Sequence, residues 1–157
     1  MSITIDRMRP EHLDQVAAIE ALSFATPWSR ESFQYELTRN DFASYLVALD
    51  GEKVLGYAGM WLILDEAHVT NVAVHPDCRG RGLGRVLMLE LMRRAALAGA
   101  GRMTLEVRKS NHVARRLYEH LGFKERGCRR GYYTDTNEDA LIMWKEGLLS
   151  GKDGAVI

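Results

Sequence analysis

Cysteine, proline and long apolar runs are all scarce in this sequence. Only two of 157 residues are cysteine, Cys78 and Cys128, and three are proline. The cysteines form no Cys-x-x-Cys pair, so the sequence supports neither a disulfide framework nor a zinc site. No apolar run approaches the ~20 residues of a membrane span, and the opening MSITIDRMRP has no apolar signal core. These absences predict a cytoplasmic protein without a metal and without a membrane partner.

Net charge is also lacking. Twenty-one Lys and Arg residues balance 21 Asp and Glu residues, so a strong attraction to nucleic acid or to an anionic membrane is not expected. Hydrophobic residues make up 46% of the chain and charged residues 27%, the proportions of an ordinary globular protein. At ~150 residues per domain, we expect one domain over residues 1–148 and a loose tail over 149–157.

Hydrophobic periodicity predicts an α/β protein with a mixed, mostly antiparallel sheet flanked by helices. Ser29 and Asn111 are placed to cap two of the helices, and Asp50-Gly51 is typical of a hairpin turn. We expect the helix after Asn111 to face the core with Val113, Leu117 and Leu121. The predicted order is β-α-α-β-β-β-α-β-α-β-β, with strands at 3–8, 42–49, 54–64, 68–74, 103–107, near Phe123 and at 140–144, and a loop over 132–139.

The segment RGRGLGR at 79–85 lies between a predicted strand and a predicted helix. Its three glycines allow several backbone N–H groups to face one ligand, and the helix N-terminus favours an anion. Three arginines crowded there are unfavourable unless something negative lies among them, which indicates a phosphate ligand. A solvated glycine-rich turn is the alternative. The spacing fits neither a P-loop nor the dinucleotide fingerprint Gly-x-Gly-x-x-Gly.

The stretch VTNVAVHPDCRGRGLGRVLM resembles the acetyl-CoA signature of the GCN5-related N-acetyltransferases, Arg/Gln-x-x-Gly-x-Gly/Ala, with Arg79, Gly82 and Gly84 at its fixed positions. The stretch LEVRKSNHVARRLYEHLGF at 105–123 resembles the second signature of that superfamily. With TPWS at 26–29 and YYTDTNEDALIM at 132–143, the chain is most similar to the bacterial ribosomal-protein-alanine N-acetyltransferases (RimI type), up to about Leu148.

This resemblance implies a role for each matching residue. Glu106 would be the general base and Tyr118 the general acid, with acetyl-CoA as cosubstrate and no metal. The loops holding Trp28, Tyr132 and Tyr133 would grip the first residues of the acceptor, and the acids Asp135, Glu138 and Asp139 would suit a basic peptide unless they are simply a solvated hairpin tip. The implied cofactor-binding residues are Val72, Ala73 and Val74 for the pantetheine arm, Arg79, Gly80, Arg81, Gly82, Leu83, Gly84 and Arg85 for the pyrophosphate, and Asn111.

The residue types suit acetyl transfer to an amine. An α-amine with a pKa of ~8 is about 10% neutral at pH 7, whereas a lysine with a pKa of ~10.4 is under 0.1% neutral, so one carboxylate can supply the modest deprotonation. Strand alternation places Glu106 on the opposite face from Met103, Leu105 and Val107. A surface carboxylate at Glu106 and a core-rim tyrosine at Tyr118 are the structural alternatives.

The expected acceptor is a protein N-terminus, and within the resemblance it is the N-terminal alanine of the small-subunit ribosomal protein numbered eighteen. Other N-termini, a lysine or a small amine are alternative acceptors. A CoA-binding module without catalysis is an alternative of a different class.

Overall fold

The computed structural model describes residues 2–148, and the predicted tail at 149–157 lies outside the described residues. The described chain confirms the predicted element order. Short 3₁₀ turns at Pro10–His12 and Pro76–Cys78 precede the first and third helices. The helices are α1 Leu13–Ser23, α2 Arg30–Thr38, α3 Leu83–Leu97 and α4 His112–His120, and the strands are β1 Thr4–Arg7, β2 Ala43–Asp50, β3 Lys53–Ile63, β4 Glu66–Val74, β5 Arg102–Arg108, β6 Lys124–Tyr133 and β7 Glu138–Lys145.

The seven strands form one mixed sheet in the order β1-β2-β3-β4-β5-β7-β6. β4 and β5 are parallel, and every other neighbouring pair is antiparallel. A parallel pair needs a crossover connection, and α3 supplies it. β7 inserts between β5 and β6, so the C-terminal hairpin extends the sheet beyond the parallel pair.

Local signals set the helix boundaries as predicted. The Ser29 side chain accepts the Ser32 N–H at 3.1 Å, and the Asn111 side chain accepts the Ala114 N–H at 3.2 Å, so both side chains cap their helices. Gly99 follows the end of α3 with a φ of +97°, the left-handed conformation that ends many helices. No helix of the described chain is long and apolar enough to cross a membrane.

Helices cover both faces of the sheet, which explains why β2 and β3 are nearly continuous apolar runs. Leu46 and Ala48 of β2 belong to the core cluster that contains α3, whereas Tyr45 and Val47 belong to the cluster of α1 and α2, which includes Phe33. Burying a leucine-sized side chain contributes roughly 1.5–3 kcal/mol. The two clusters therefore hold the central strands rigidly between two helical layers.

Two expectations about the C-terminal half are wrong. The buried face of α4 contains Tyr118 instead of Val113, which is 84% exposed. Leu117 and Leu121 pack with the core as predicted, and Ala114 and Tyr118 complete the buried face in place of Val113. β6 also runs on to Tyr133, so the loop of this hairpin is shorter than predicted.

Candidate active site

The parallel pair β4–β5 is joined at one end only. β4 pairs with β5 from Glu66 to His68, opposite Arg102 to Thr104. Beyond that, β4 stays paired with β3, and β5 stays paired with β7. The two strands therefore leave between them a gap, bordered by residues 69–74 of β4 and 105–108 of β5. We call it the strand gap.

A bulge in β4 lies where the strand gap begins. Gly59 of β3 is opposite Asn71 and Met60 is opposite Val69, so Thr70 is an extra residue without a partner in the register. The ring of Tyr45 lies against Gly59, where a Cβ would be 2.0 Å from a ring carbon. Only glycine fits beneath this ring, whose hydroxyl reaches Thr70 at 2.8 Å. The bulge turns β4 away from β5 at this point.

The register determines which backbone groups of β4 face the strand gap. The His75 N–H donates to the Leu55 carbonyl at 2.8 Å. Alternation along an antiparallel pair then directs the N–H and C=O of Ala73 toward β3 and those of Val72 and Val74 toward the gap. Val72, Ala73 and Val74 were all expected to offer backbone hydrogen bonds to a pantetheine arm. Only Val72 and Val74 direct these groups toward the gap, because those of Ala73 face β3.

A cavity of about 500 Å³ occupies the strand gap and the space between its flanking loops. This central cavity brings together residues that are far apart in sequence, from both catalytic candidates to the predicted acceptor walls. Ala73, Val74 and the 79–85 loop are not among its lining residues. Of the predicted site residues, those lining it are Trp28, Val72, Glu106, Asn111, Tyr118, Tyr132 and Tyr133.

The loop at 79–85 follows the end of β4 and presents free N–H groups. Gly80 and Gly82 have φ values of +82° and +78°, and Gly82 forms the N-cap of α3 without any side-chain cap. The first N–H of α3 bonded within the helix is that of Val86, to the Gly82 carbonyl, so the three preceding N–H groups of the helix have no helical partner. No acidic residue lies in this first turn, and the arrangement suits a phosphate.

The arginines of this loop differ in role. The Arg79 guanidinium turns back, and it donates to the Val74 carbonyl at 3.0 Å and to the Ser23 hydroxyl at 3.2 Å. Arg79 thereby ties the loop to β4 and to α1. Arg81 and Arg85 are exposed, where their charges add to the positive potential of the helix N-terminus.

Glu106 and Tyr118 approach the central cavity from β5 and α4. The Glu106 side chain is 27% exposed, and its carboxylate lies 3.7 Å from the Arg129 guanidinium. Tyr118 is buried against the Phe123 ring, with the ring centroids 5.9 Å apart. Burial raises the pKa of Tyr118 to about 12. The phenol therefore keeps its proton at neutral pH and can act as a donor.

The C-terminal hairpin forms one wall of the cavity and is held by Arg108. The Arg108 guanidinium lies 4.1 Å from the centroid of the Tyr133 ring and pairs with Asp135 at 2.8 Å and with Glu138 at 3.5 Å. Asp139 accepts the Gly131 N–H at 2.9 Å. Each of the three acids therefore has a structural partner, which is Arg108 of β5 for Asp135 and Glu138 and the β6 backbone for Asp139.

Two buried polar residues of the cavity were not predicted, Glu20 on α1 and Asn71 on β4. Both line the cavity, and they are 2% and 6% exposed. The spacing of Leu13, Val16 and Glu20 places a carboxylate on the buried stripe of α1. A charged residue at a core position of a helical pattern is the signal that could have found Glu20.

Neither cysteine lines the cavity. Cys78 is buried beside the loop at 79–85, which we call the phosphate loop, and Cys128 is exposed on β6. Among residues 2–148, no three His, Cys, Asp or Glu side chains are grouped to hold a metal ion. The ionisable side chains that line the cavity are carboxylates, tyrosine phenols and the Arg108 guanidinium.

Residues 13–123 match the acetyltransferase (GNAT) family, and the chain belongs to that family. A Bacillus subtilis (strain 168) protein provisionally named ribosomal protein bS18-alanine N-acetyltransferase is 44% identical over 140 residues, which cover 89% of this chain and 93% of that protein. The Escherichia coli (strain K12) ribosomal protein bS18-alanine N-acetyltransferase is 38% identical over 142 residues, covering 89% and 95%. The crystal structure of the E. coli ribosomal-protein-S18-alanine N-acetyltransferase superposes with a TM-score of 0.85 at 36% identity, over 92% of this chain and 94% of that one. The predicted family and fold are confirmed.

Gly82→Val tests the phosphate loop. A β-branched residue is strained at a φ of +78°, so the N–H groups of the loop should move out of register. We expect the dissociation constant of coenzyme A, measured by calorimetry, to rise at least about tenfold, a loss of ~1.4 kcal/mol.

Gly99→Val is the matched control, because Gly99 lies at the other end of α3 with a φ of +97°. It should lower the melting temperature comparably and leave coenzyme A binding unchanged. Equal affinities in the two variants would contradict the assignment of the loop.

Proposed function

We propose that this protein transfers the acetyl group of acetyl-CoA to the N-terminal α-amine of ribosomal protein bS18, at its first-residue alanine, in the cytoplasm. The strand gap supports the proposal, because free backbone groups of β4, a carboxylate and a phenol border one cavity, and the loop at 79–85 follows the end of β4. The similarity to relatives that bear this name extends over 89% of the chain, so it includes both the cofactor side and the acceptor side of the cavity.

The cofactor would be held mainly by backbone groups. The N–H groups at 80–85 would bind the pyrophosphate, and the edges of Val72 and Val74 would bond the pantetheine arm as a neighbouring strand would. The Val74 carbonyl already accepts from Arg79, which leaves its N–H for the ligand. The Asn111 side-chain oxygen Oδ1 caps α4, so the side-chain NH₂ group remains to donate to the cofactor.

The chemistry is a direct attack by the acceptor amine on the thioester. Glu106 would accept the proton of the amine, directly or through a water. Backbone N–H groups of β4 that face the gap would stabilise negative charge on the thioester oxygen, and Tyr118 would donate its proton to the departing thiolate. Because neither cysteine lines the cavity, transfer through an acetyl-cysteine intermediate has no support here.

An acceptor assay tests the function. The protein is incubated with acetyl-CoA and a peptide that copies the bS18 N-terminus, and the product is located by mass spectrometry. We expect one acetyl group on the α-amine of the alanine. The same peptide with a blocked N-terminus and free lysines is the control and should stay unmodified. Acetylation only of lysines or of small amines would contradict the acceptor, and coenzyme A binding without any transfer would indicate a non-catalytic module.

Glu106→Gln and Tyr118→Phe test the two proton-transfer roles. Each should lower kcat by about 10²–10⁴-fold, with coenzyme A affinity changed less than twofold, because neither residue belongs to the phosphate loop. Glu125→Gln on the exposed part of β6 and Tyr35→Phe on α2 are matched controls that should retain full turnover. Wild-type turnover in both active-site variants would remove the assigned roles.

The pH dependence of kcat/KM tests Tyr118 separately. The rate should rise as the acceptor α-amine loses its proton near pH 8. Tyr118 acts in its protonated form, and burial raises its pKa to about 12, so the proton is present throughout the assay range. We therefore expect a plateau from about pH 9 to 10 and no descending limb. A decline with an apparent pKa below 10 would contradict the acid role of this tyrosine.

A further inference from the structure

Glu20 is a buried carboxylate without a cationic partner. It is 2% exposed, and no Lys or Arg of the described chain lies within ion-pair distance of it. Its hydrogen-bond donors are neutral groups. The Tyr57 hydroxyl lies 2.5 Å from Oε1, and the backbone N–H of Trp28 lies 3.0 Å from Oε2. The Asn71 side-chain NH₂ makes longer contacts of 3.4 and 3.5 Å with the two oxygens.

A carboxylate is a costly choice at this position. Burying an ion costs several kcal/mol even after relaxation, and well-packed apolar residues often do as well or better. Glu20 lies on the stripe of α1 that also carries Leu13 and Val16, where a leucine would extend the core. Stability alone therefore does not account for the glutamate.

The donors of Glu20 come from three separate elements. Tyr57 is fully buried in the centre of β3. Trp28 lies in the connection between α1 and α2, and Asn71 lies in β4 next to the bulged Thr70. Trp28 and Asn71 both line the central cavity, whereas Tyr57 does not. Glu20 thus connects two walls of the cavity to a fixed point in the core.

The hydrogen bond from the Trp28 backbone N–H to Glu20 anchors the connection between α1 and α2. Residues 24–29 contain no helix or strand, and the Trp28 N–H is tied to Glu20. The Trp28 ring packs on Phe33 with ring centroids 5.4 Å apart, which holds the side chain but leaves the backbone of the connection to be positioned by other contacts. The Glu20 carboxylate supplies such a contact from inside the cavity wall.

We propose that Glu20 is a positioning residue of the acceptor side. It holds the Trp28 backbone at a set distance from Asn71 of β4, so that the acceptor N-terminus meets a preformed wall. The inference rests on the proposed function for the identity of the acceptor. The side-chain partners of Glu20 are Trp28, Tyr57 and Asn71, none of which is assigned to the cofactor, so coenzyme A affinity should not depend on this residue.

Glu20→Gln is the sharpest variant because it keeps the shape of the side chain. The three neighbours that face the carboxylate are all donors, and an amide offers one acceptor oxygen and one NH₂ group. The Tyr57 hydroxyl can turn and accept from the NH₂ group, but the Trp28 N–H and the Asn71 NH₂ cannot. At least one of these contacts must therefore weaken, without opening a cavity.

Glu36→Gln is the matched control. Glu36 is a second buried carboxylate, and its donors are Tyr45, Trp61 and Asn40 at 2.5–2.9 Å. None of these three lines the central cavity. Tyr45 also contacts Thr70 of the bulge at 2.8 Å, and it can keep this contact when an amide oxygen replaces the Glu36 carboxylate oxygen. The same chemical change at Glu36 therefore removes a buried, hydrogen-bonded carboxylate while leaving the bond between Glu20 and the Trp28 backbone N–H in place.

The experiment compares wild type, Glu20→Gln and Glu36→Gln by acceptor KM, kcat, coenzyme A affinity and amide hydrogen exchange at Trp28. We expect Glu20→Gln to raise acceptor KM at least fivefold and to speed Trp28 exchange about tenfold, with coenzyme A affinity within twofold of wild type. Glu36→Gln should change neither the KM nor Trp28 exchange, whatever it does to the melting temperature. A KM or an exchange rate for Glu20→Gln within twofold of the control would overturn the proposal.

Tyr57→Phe serves if Glu20→Gln does not fold. Among the described residues, the Tyr57 hydroxyl bonds only Glu20, and Tyr57→Phe keeps the ring contact with Phe33. An effect of this variant on acceptor KM or Trp28 exchange therefore passes through the carboxylate. We expect changes in the same direction and about threefold in size. If acceptor KM and Trp28 exchange both stay at their wild-type values, the proposal is overturned. Failure of the proposed function is distinguishable: wild type would then not acetylate the bS18 peptide, whereas the exchange measurement at Trp28 needs no acceptor.

Discussion

The separation of β4 from β5 is the structural constraint on which the rest of the site depends. The two strands share three pairs and then part at the bulge around Thr70. Within a sheet, the backbone N–H and C=O groups of a strand normally bond those of the neighbouring strand. Backbone groups without a neighbouring strand need another hydrogen-bond partner. Val72 and Val74 therefore present an edge that an extended ligand can join. The loop at 79–85 follows the same strand, so the path of β4 sets the positions of both the free edge and the loop.

The bulge is maintained by a polar layer on the side of the sheet covered by α1 and α2. Tyr45 passes over Gly59 to reach Thr70 and Glu36, and Tyr57 reaches Glu20. Burial beside these carboxylates raises the pKa values of Tyr45 and Tyr57 well above the ordinary range, so both hydroxyls stay donors. Hydrogen bonds to a charged group contribute about 1.5–3 kcal/mol each, and two or three of them roughly offset the several kcal/mol lost by burying each carboxylate. The layer adds little net stability and instead fixes geometry.

Local signals were sufficient to predict the element order. Ser29, Asn111 and Gly99 act where they stand in the sequence, through bonds to residues within one turn, so their effects can be predicted without tertiary information. The strand gap could not be predicted in this way, because it depends on which partner each strand keeps. The distinction between Ala73 and its neighbours also required the register with β3. On α4, the sequence pattern placed Val113 on the buried face and Tyr118 at its rim. The structure buries Tyr118 against Phe123 and exposes Val113, a choice that depends on tertiary packing.

The two proton-transfer candidates illustrate why environment decides function at this site. Glu106 lies between the buried residues Leu105 and Val107 of β5, yet its side chain is 27% exposed and its carboxylate is 3.7 Å from the Arg129 guanidinium. Tyr118 is enclosed by the core on α4, where burial disfavours the phenolate. A base needs its charged form and an acid needs its neutral form. The parting of the strands provides both environments within one cavity, because β5 meets solvent at the gap while α4 closes over it.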